Sequence, residues 1–330
     1  MKKTLIIFLA LIAIGFVFYK NGPKPEKPNL EQTYKFELPS NLDDLEKFIS
    51  DRESIIPGIK TPNEADFVWA NDSAKAVTPY AIVYIHGFSA SHIEGAPVHE
   101  NLAKRYNANL YKARLSEHGI DLGDETMANM NADDYIASAE EALAIGKKIG
   151  QKVILVGTSA GGALTTYLAS KHPELEAIVL YSPCIKIYDD NAELLDNPWG
   201  RDLAELIQGK PFNDITPKND DQPKYWTMHY RLEGVVALQN FLTHAMTPET
   251  FNAVKCPVFM GYYYKDEEHQ DNVVSVPAML KMFDQLGSAD KTKMAFPEAN
   301  NHVLASWVLS EDVETVQHET EKFLDRIIKQ

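Results

Sequence analysis

Two cysteines, Cys184 and Cys256, are all that the 330 residues contain. That is too few for a disulfide-stapled extracellular scaffold, and alone too few for a zinc site. A His-Glu-x-x-His segment is missing and the ten histidines are dispersed, so no metal is expected. Basic residues are scarce as well. Lys and Arg number 32 against 47 Asp and Glu, giving a formal net charge of −15 that no long basic block offsets. Such a surface repels phosphate backbones and argues against nucleic acid as the principal partner. Repeats and low-complexity tracts are absent too. What remains is a chain that is 45% hydrophobic and long enough for a large core, as two domains or as one with an insertion.

Long apolar runs are limited to one, Leu5 to Tyr19, behind Lys2 and Lys3. As a helix it reaches about 22 Å, short of the roughly 30 Å hydrocarbon layer unless its flanks join or the bilayer thins. No small-x-small cleavage site follows, since Ala13-Ile14-Gly15 lies inside the run. Residues 1–19 are therefore read as an uncleaved membrane anchor, a transmembrane signal-anchor, with a cleaved secretion signal or a buried helix as alternatives. In a bacterial inner membrane, Lys2 and Lys3 would keep the N-terminus cytoplasmic and place the body in the periplasm, an asymmetry that Lys20 weakens. Residues 20–32, rich in Pro and Lys between Gly22 and Pro28, read as an extended linker.

From residue 33 the pattern becomes globular. Strands are expected at Thr33–Leu38, Ala65–Ala70, Tyr80–Ile85, Asn109–Ala113, Lys152–Val156, Ala177–Tyr181, Pro257–Tyr264 and Lys291–Phe296. Helices are expected over Gly95–Tyr106, Asp133–Ile149, from Gly162 to about Lys171, Pro277–Gly287 and Val313–Ile328. This alternation predicts an α/β architecture with a mostly parallel sheet flanked by helices. Residues 185–254 break the rhythm with five prolines and helix-capable pieces at Arg201–Gln208 and Glu233–Ala245, and read as a small, largely helical cap. Cys184 follows one strand and Cys256 precedes another, so the two thiols are expected free at opposite sheet ends.

The strongest chemical signal is Gly157-Thr158-Ser159-Ala160-Gly161-Gly162, between an apolar strand and a helix. Gly157 and Gly161 bracket Ser159 with little bulk, which permits a strained turn that projects a hydroxyl near a helix start. The run lacks the Lys-Ser/Thr pair of a phosphate loop and any dinucleotide fingerprint, so nucleotide binding is not expected.

With His86-Gly87-Phe88 after the strand Tyr80–Ile85 and with Glu117-His118-Gly119, residues 33–330 resemble the α/β-hydrolase superfamily. They are most similar to its carboxylesterases and monoacylglycerol-lipase-like serine hydrolases. The resemblance implies a nucleophile at Ser159, an orienting acid at Asp271 within Asp271-Asn272-Val273-Val274, and a base at His302 within Asn300-Asn301-His302. It also implies an oxyanion hole from the Phe88 and Ala160 amides, with His86, Gly87, Gly157 and Gly161 shaping the loops. Asp266 is the alternative acid, because Asp266, Glu267 and Glu268 crowd the same loop. His86 and His118 are read as loop builders. No cofactor is required.

The cap aromatics Trp199, Phe212, Tyr225, Trp226, Tyr230 and Phe241 read chiefly as its own core, some facing an acyl pocket. The expected activity is hydrolysis of small or medium hydrophobic carboxylic esters through an acyl-enzyme, monoacylglycerol and lysophospholipid included. Peptidase, thioesterase or acyltransferase chemistry, or a non-catalytic membrane-displayed binding protein, are the alternatives.

Overall fold

The computed structural model describes residues 2–328. The side chains of Lys2, Lys3 and Phe8 lie outside that description, and with them the two charges behind the expected membrane topology. Nine strands are described: β1 (Asp66–Val68), β2 (Thr78–Ile85), β3 (Asn109–Lys112), β4 (Gly150–Thr158), β5 (Ala177–Tyr181), β6 (Phe212–Asp214), β7 (His229–Arg231), β8 (Val258–Tyr262) and β9 (Lys291–Ala295). Seven form the main sheet in the order β1-β3-β2-β4-β5-β8-β9, and only β1 runs antiparallel.

The central strands are apolar on both faces because helices cover both. Alternate residues of β2 part accordingly: Ala81, Val83 and Ile85 join one buried cluster, and Tyr80, Ile82 and Tyr84 the other. The first cluster is closed by α2 (Leu42–Ser54), α4 (Ala132–Ile149), α5 (Ala160–Lys171), α8 (Leu232–Ala245), α9 (Pro248–Ala253) and α10 (Val276–Gln285). The second is closed by α3 (Val98–Arg105) and α11 (Val313–Asp325). Every residue of α5 from Ala160 to Ala169 is buried, as expected of a helix that is apolar all round.

Two readings of the sequence need correction, the strand at residues 33–38 and the end of the cap. Thr33–Leu38 forms no strand; Tyr34 and Leu38 pack against the core from an extended segment, so docking rather than ladder pairing satisfies their alternation. The cap is largely helical as expected, and beside α6 (Gly200–Gln208) and α7 (Gln222–Tyr225) it carries the β6–β7 hairpin. It also ends before residue 254, because α9 lies against α5 and α10 of the main body.

The N-terminal run forms α1 (Lys2–Lys20). Its end meets the cap, where Phe18 stacks on Trp199 at 5.1 Å between centroids and Trp199 N donates to Pro23 O at 2.7 Å. Leu5, Ile6, Leu9 and Phe16 are exposed. Among the described residues no helix is long and apolar enough to cross a membrane, so the expected transmembrane helix is not found there. Cys184 and Cys256 are both free and buried.

Candidate active site

Chain order places β3 on one side of β2 and β4 on the other, so the loops leaving β2 and β4 diverge at a switch point, where α/β sheets form clefts. The register Ile85↔Gly157 sets those loops side by side. Contact there is backbone on backbone. A Cβ on Gly161 would lie 2.0 Å from Ile85 O and 2.4 Å from His86 O, which only glycine avoids. One on Gly157 would meet Thr165 Oγ1 at 2.3 Å.

Between these glycines Ser159 adopts φ 54°, ψ −120°, a conformation that non-glycine residues hold only when their surroundings enforce it. Here β5 does so. Ser159 N donates to Tyr181 O at 2.9 Å, and Ser159 O accepts from Cys184 N at 2.8 Å. The side chain caps nothing and borders a cavity. Ala160 opens α5, so its amide is one of the orphan donors of a helix N-terminus. Neither the Ala160 nor the Phe88 amide has an acceptor among the described residues.

His302 is presented from the β9 end. A short 3-10 turn, Pro297–Ala299, stops at Asn300 in the left-handed region (φ 47°), which asparagine tolerates, and Asn301 Oδ1 then accepts from Val303 N at 3.1 Å. The loop after β8 supplies Asp271, fully buried, with Oδ2 2.5 Å from His302 Nδ1. Its other oxygen accepts from Val273 N (2.9 Å) and Val274 N (3.1 Å). Burial pulls the His302 pKa down, but the charge and hydrogen bond of Asp271 outweigh it and leave it above the usual 6.5. Asp266 is elsewhere: exposed, and bonded to His269 at 2.8 Å.

Ser159 and His302 border the same cavity, although no hydrogen bond joins them in this structure. Such contacts often tighten only in the substrate complex. The cavity measures about 680 Å³ and is walled by Ile187, Leu195, Leu203, Ile215, Leu238 and Val274. Of the cap aromatics, Trp226 and Tyr230 reach it, while Phe241 packs away from it against Tyr135 and Tyr167.

His86 and His118 act within the loops. His86 Nε2 accepts from Leu115 N at 3.0 Å, which leaves Nδ1 as the donor to Gly87 O at 2.8 Å; burial holds the pKa of both rings low. Glu94 had no distinguishing signal in the sequence, yet it is 2% exposed, borders the cavity and accepts from Gly87 N at 2.6 Å.

A nucleophile-type elbow after β4, a buried His–Asp pair from the ends of β9 and β8, and a cap over the sheet together define an α/β-hydrolase fold. A family model described as "Serine aminopeptidase, S33" matches residues 82–232. A thermostable monoacylglycerol lipase of Bacillus sp. (strain H-257) is 34% identical over 110 residues, 33% of this chain and 42% of that one. The match thus spans less than half the length of that lipase. Among solved structures, one reported in work on LipS and LipT, two metagenome-derived lipolytic enzymes, superposes with a TM-score of 0.64 at 20% identity, covering 82% of this chain and 99% of that chain. A soluble variant of monoglyceride lipase from Saccharomyces cerevisiae, in complex with a substrate analog, reaches 0.61 at 14% identity, covering 81% and 92%.

Proposed function

We propose that the protein hydrolyses carboxylic esters of hydrophobic acids, monoacylglycerol-type lipids foremost, through an acyl-enzyme on Ser159. The observation that carries this is the strained Ser159 turn and the Asp271–His302 pair opening on one largely apolar cavity. His302 takes the Ser159 proton as the oxygen attacks the ester carbonyl, then gives it to the departing alcohol. Asp271 holds the imidazole in the Nδ1–H tautomer and stabilises its charged form. The Phe88 and Ala160 amides receive the oxyanion, each such donor contributing roughly 3 kcal/mol to the transition state. Water then enters by the same base to release the acid.

The cavity volume falls within the usual range for small-molecule sites, and its apolar walls suit an acyl chain. Similarity to the bacterial monoacylglycerol lipase above supports a monoacylglycerol as the substrate to try first. Purified protein labelled with a fluorophosphonate should lose the label in Ser159→Ala. Equal labelling overturns the assignment. Esters of graded chain length, monoacylglycerols and aminoacyl amides assayed side by side then set the substrate class, and faster turnover of the amides would replace esterase by peptidase.

We also propose that the exposed apolar side chains of α1 attach the enzyme to a membrane, and that the globular body is exported from a bacterial cytoplasm. Protease added to spheroplasts should digest the body; its full protection overturns export.

A further inference from the structure

Gly87 stands where two requirements conflict. A Cβ there would lie 2.8 Å from Glu94 Oε1 and 3.0 Å from Ser159 Cβ, so any side chain here would have to push Glu94 aside and crowd the elbow. Glycine, however, is the residue least able to hold its own φ and ψ. The amide that follows it, Phe88 N–H, is the one proposed to meet the oxyanion, and such donors act only when their direction is set beforehand.

The structure supplies that direction from outside. On the C-terminal side of Gly87, its carbonyl accepts from His86 Nδ1 (2.8 Å) and Ala90 N (3.3 Å). That carbonyl shares a peptide plane with Phe88 N–H, so holding one aims the other the opposite way. On the N-terminal side, Gly87 N–H is held by Glu94 Oε2 at 2.6 Å. The Tyr84 hydroxyl lies 3.3 Å from the same oxygen and 2.9 Å from Thr158 Oγ1. A buried polar chain therefore runs from the residue before the nucleophile to the loop facing it.

We propose that Glu94 is a positioning residue: it clamps Gly87 so that the Phe88 amide is preset for the oxyanion, and Tyr84 ties this clamp to the serine elbow. This rests on the Ser159 hydrolase reading above. Burial raises the Glu94 pKa to about 7, so a neutral acceptor of the same shape should serve nearly as well. Glu94 borders the cavity and its Oε1 has no hydrogen-bond partner among the described residues, so contact with substrate is the rival role; it would appear in KM.

The test compares Glu94→Ala and Glu94→Gln in the full chain with a soluble ester. Two inhibitors are added: a trifluoromethyl ketone that forms a hemiketal oxyanion on Ser159, and the matching unreactive alcohol. Displacing a donor should lower kcat roughly 10- to 100-fold in Glu94→Ala, with KM within about 3-fold. The ketone should weaken by the same factor as kcat/KM and the alcohol hardly at all. Glu94→Gln should recover to within about 5-fold of the parent.

A normal kcat in Glu94→Ala, a loss confined to KM, or a Gln variant as poor as Ala overturns the proposal. If Glu94→Ala does not fold, Glu94→Met fills the space without an acceptor. If that fails too, Tyr84→Phe decides: a fall of roughly 3-fold or more in kcat at constant KM supports the clamp, and no change refutes it. Turnover that survives Ser159→Ala would defeat the hydrolase reading itself, whereas Glu94 variants equal to a Ser159-dependent parent defeat only the clamp.

Discussion

At the scale of single residues, the Asp271–His302 contact carries the sharpest expectation. Asp271 gives one oxygen to imidazole and the other to two backbone amides, so its carboxylate is fully committed inside the protein. Asp271→Asn should lower kcat by roughly 10²- to 10⁴-fold through the wrong tautomer. Asp266→Asn, at an exposed residue paired with its neighbour, should stay within about 2-fold of the parent. A larger loss in Asp266→Asn would reassign the acid. The pH dependence follows from the sign of the His302 shift. The base form is the deprotonated one, and its pKa is raised, so kcat/KM should climb with pH through a midpoint above 6.5. A midpoint below 6.5 contradicts the pairing. What separates Asp271 from Asp266 was not readable from composition of the loop, because the decision is local: His269 captures Asp266, leaving only the buried acid to reach across to β9.

At the scale of elements, β2 and β4 were legible because their inner stretches, residues 81–85 and 153–156, are buried on both faces and read as apolar runs, and α5 because a glycine-rich turn marks its start. The extended segment Thr33–Leu38 has the same alternation as a strand but finds no ladder partner. Helix α2 was not anticipated: only Leu42, Leu45, Ile49 and Glu53 are buried in thirteen largely charged residues. Its anchoring is partly ionic, since Glu53 accepts from Arg114 Nε at 2.5 Å and from Ala65 N at 3.0 Å. Arg114 in turn donates to His118 O, joining α2 to the loop beneath Phe88. Glu53→Ala strips the Arg114 guanidinium of its carboxylate, leaving it only His118 O, and leaves the Ala65 amide without its acceptor; it should cost about 3 kcal/mol in urea unfolding. A loss under about 1 kcal/mol would show that the pair adds nothing. Glu94 escaped the sequence for a related reason: between Ile93 and Gly95 it looks like any surface acid, and only the fold brings it under the glycine that needs it.

At the scale of the whole molecule, α1 meets the cap at its C-terminal end, where Phe18 stacks on Trp199. Deleting residues 1–27 should therefore leave kcat on a soluble ester within about 2-fold, since among the described residues none of α1 borders the cavity, while moving the enzyme from the membrane pellet to the supernatant. A truncated enzyme that still pellets would place membrane attachment in the cap. The alternation of strands and helices foretold the layered body, but not where the cap stops, because α9 has the composition of either region and only its seat against α5 and α10 assigns it.

The hold of β5 on Ser159 reaches beyond catalysis. The amide of the bent serine is fastened to the end of a central strand and its carbonyl to the loop that leaves that strand, so warming cannot relax the bend while the sheet stays zipped. Heat inactivation should then coincide with cooperative melting, and the slowest-exchanging amides should include that of the very residue under most torsional stress.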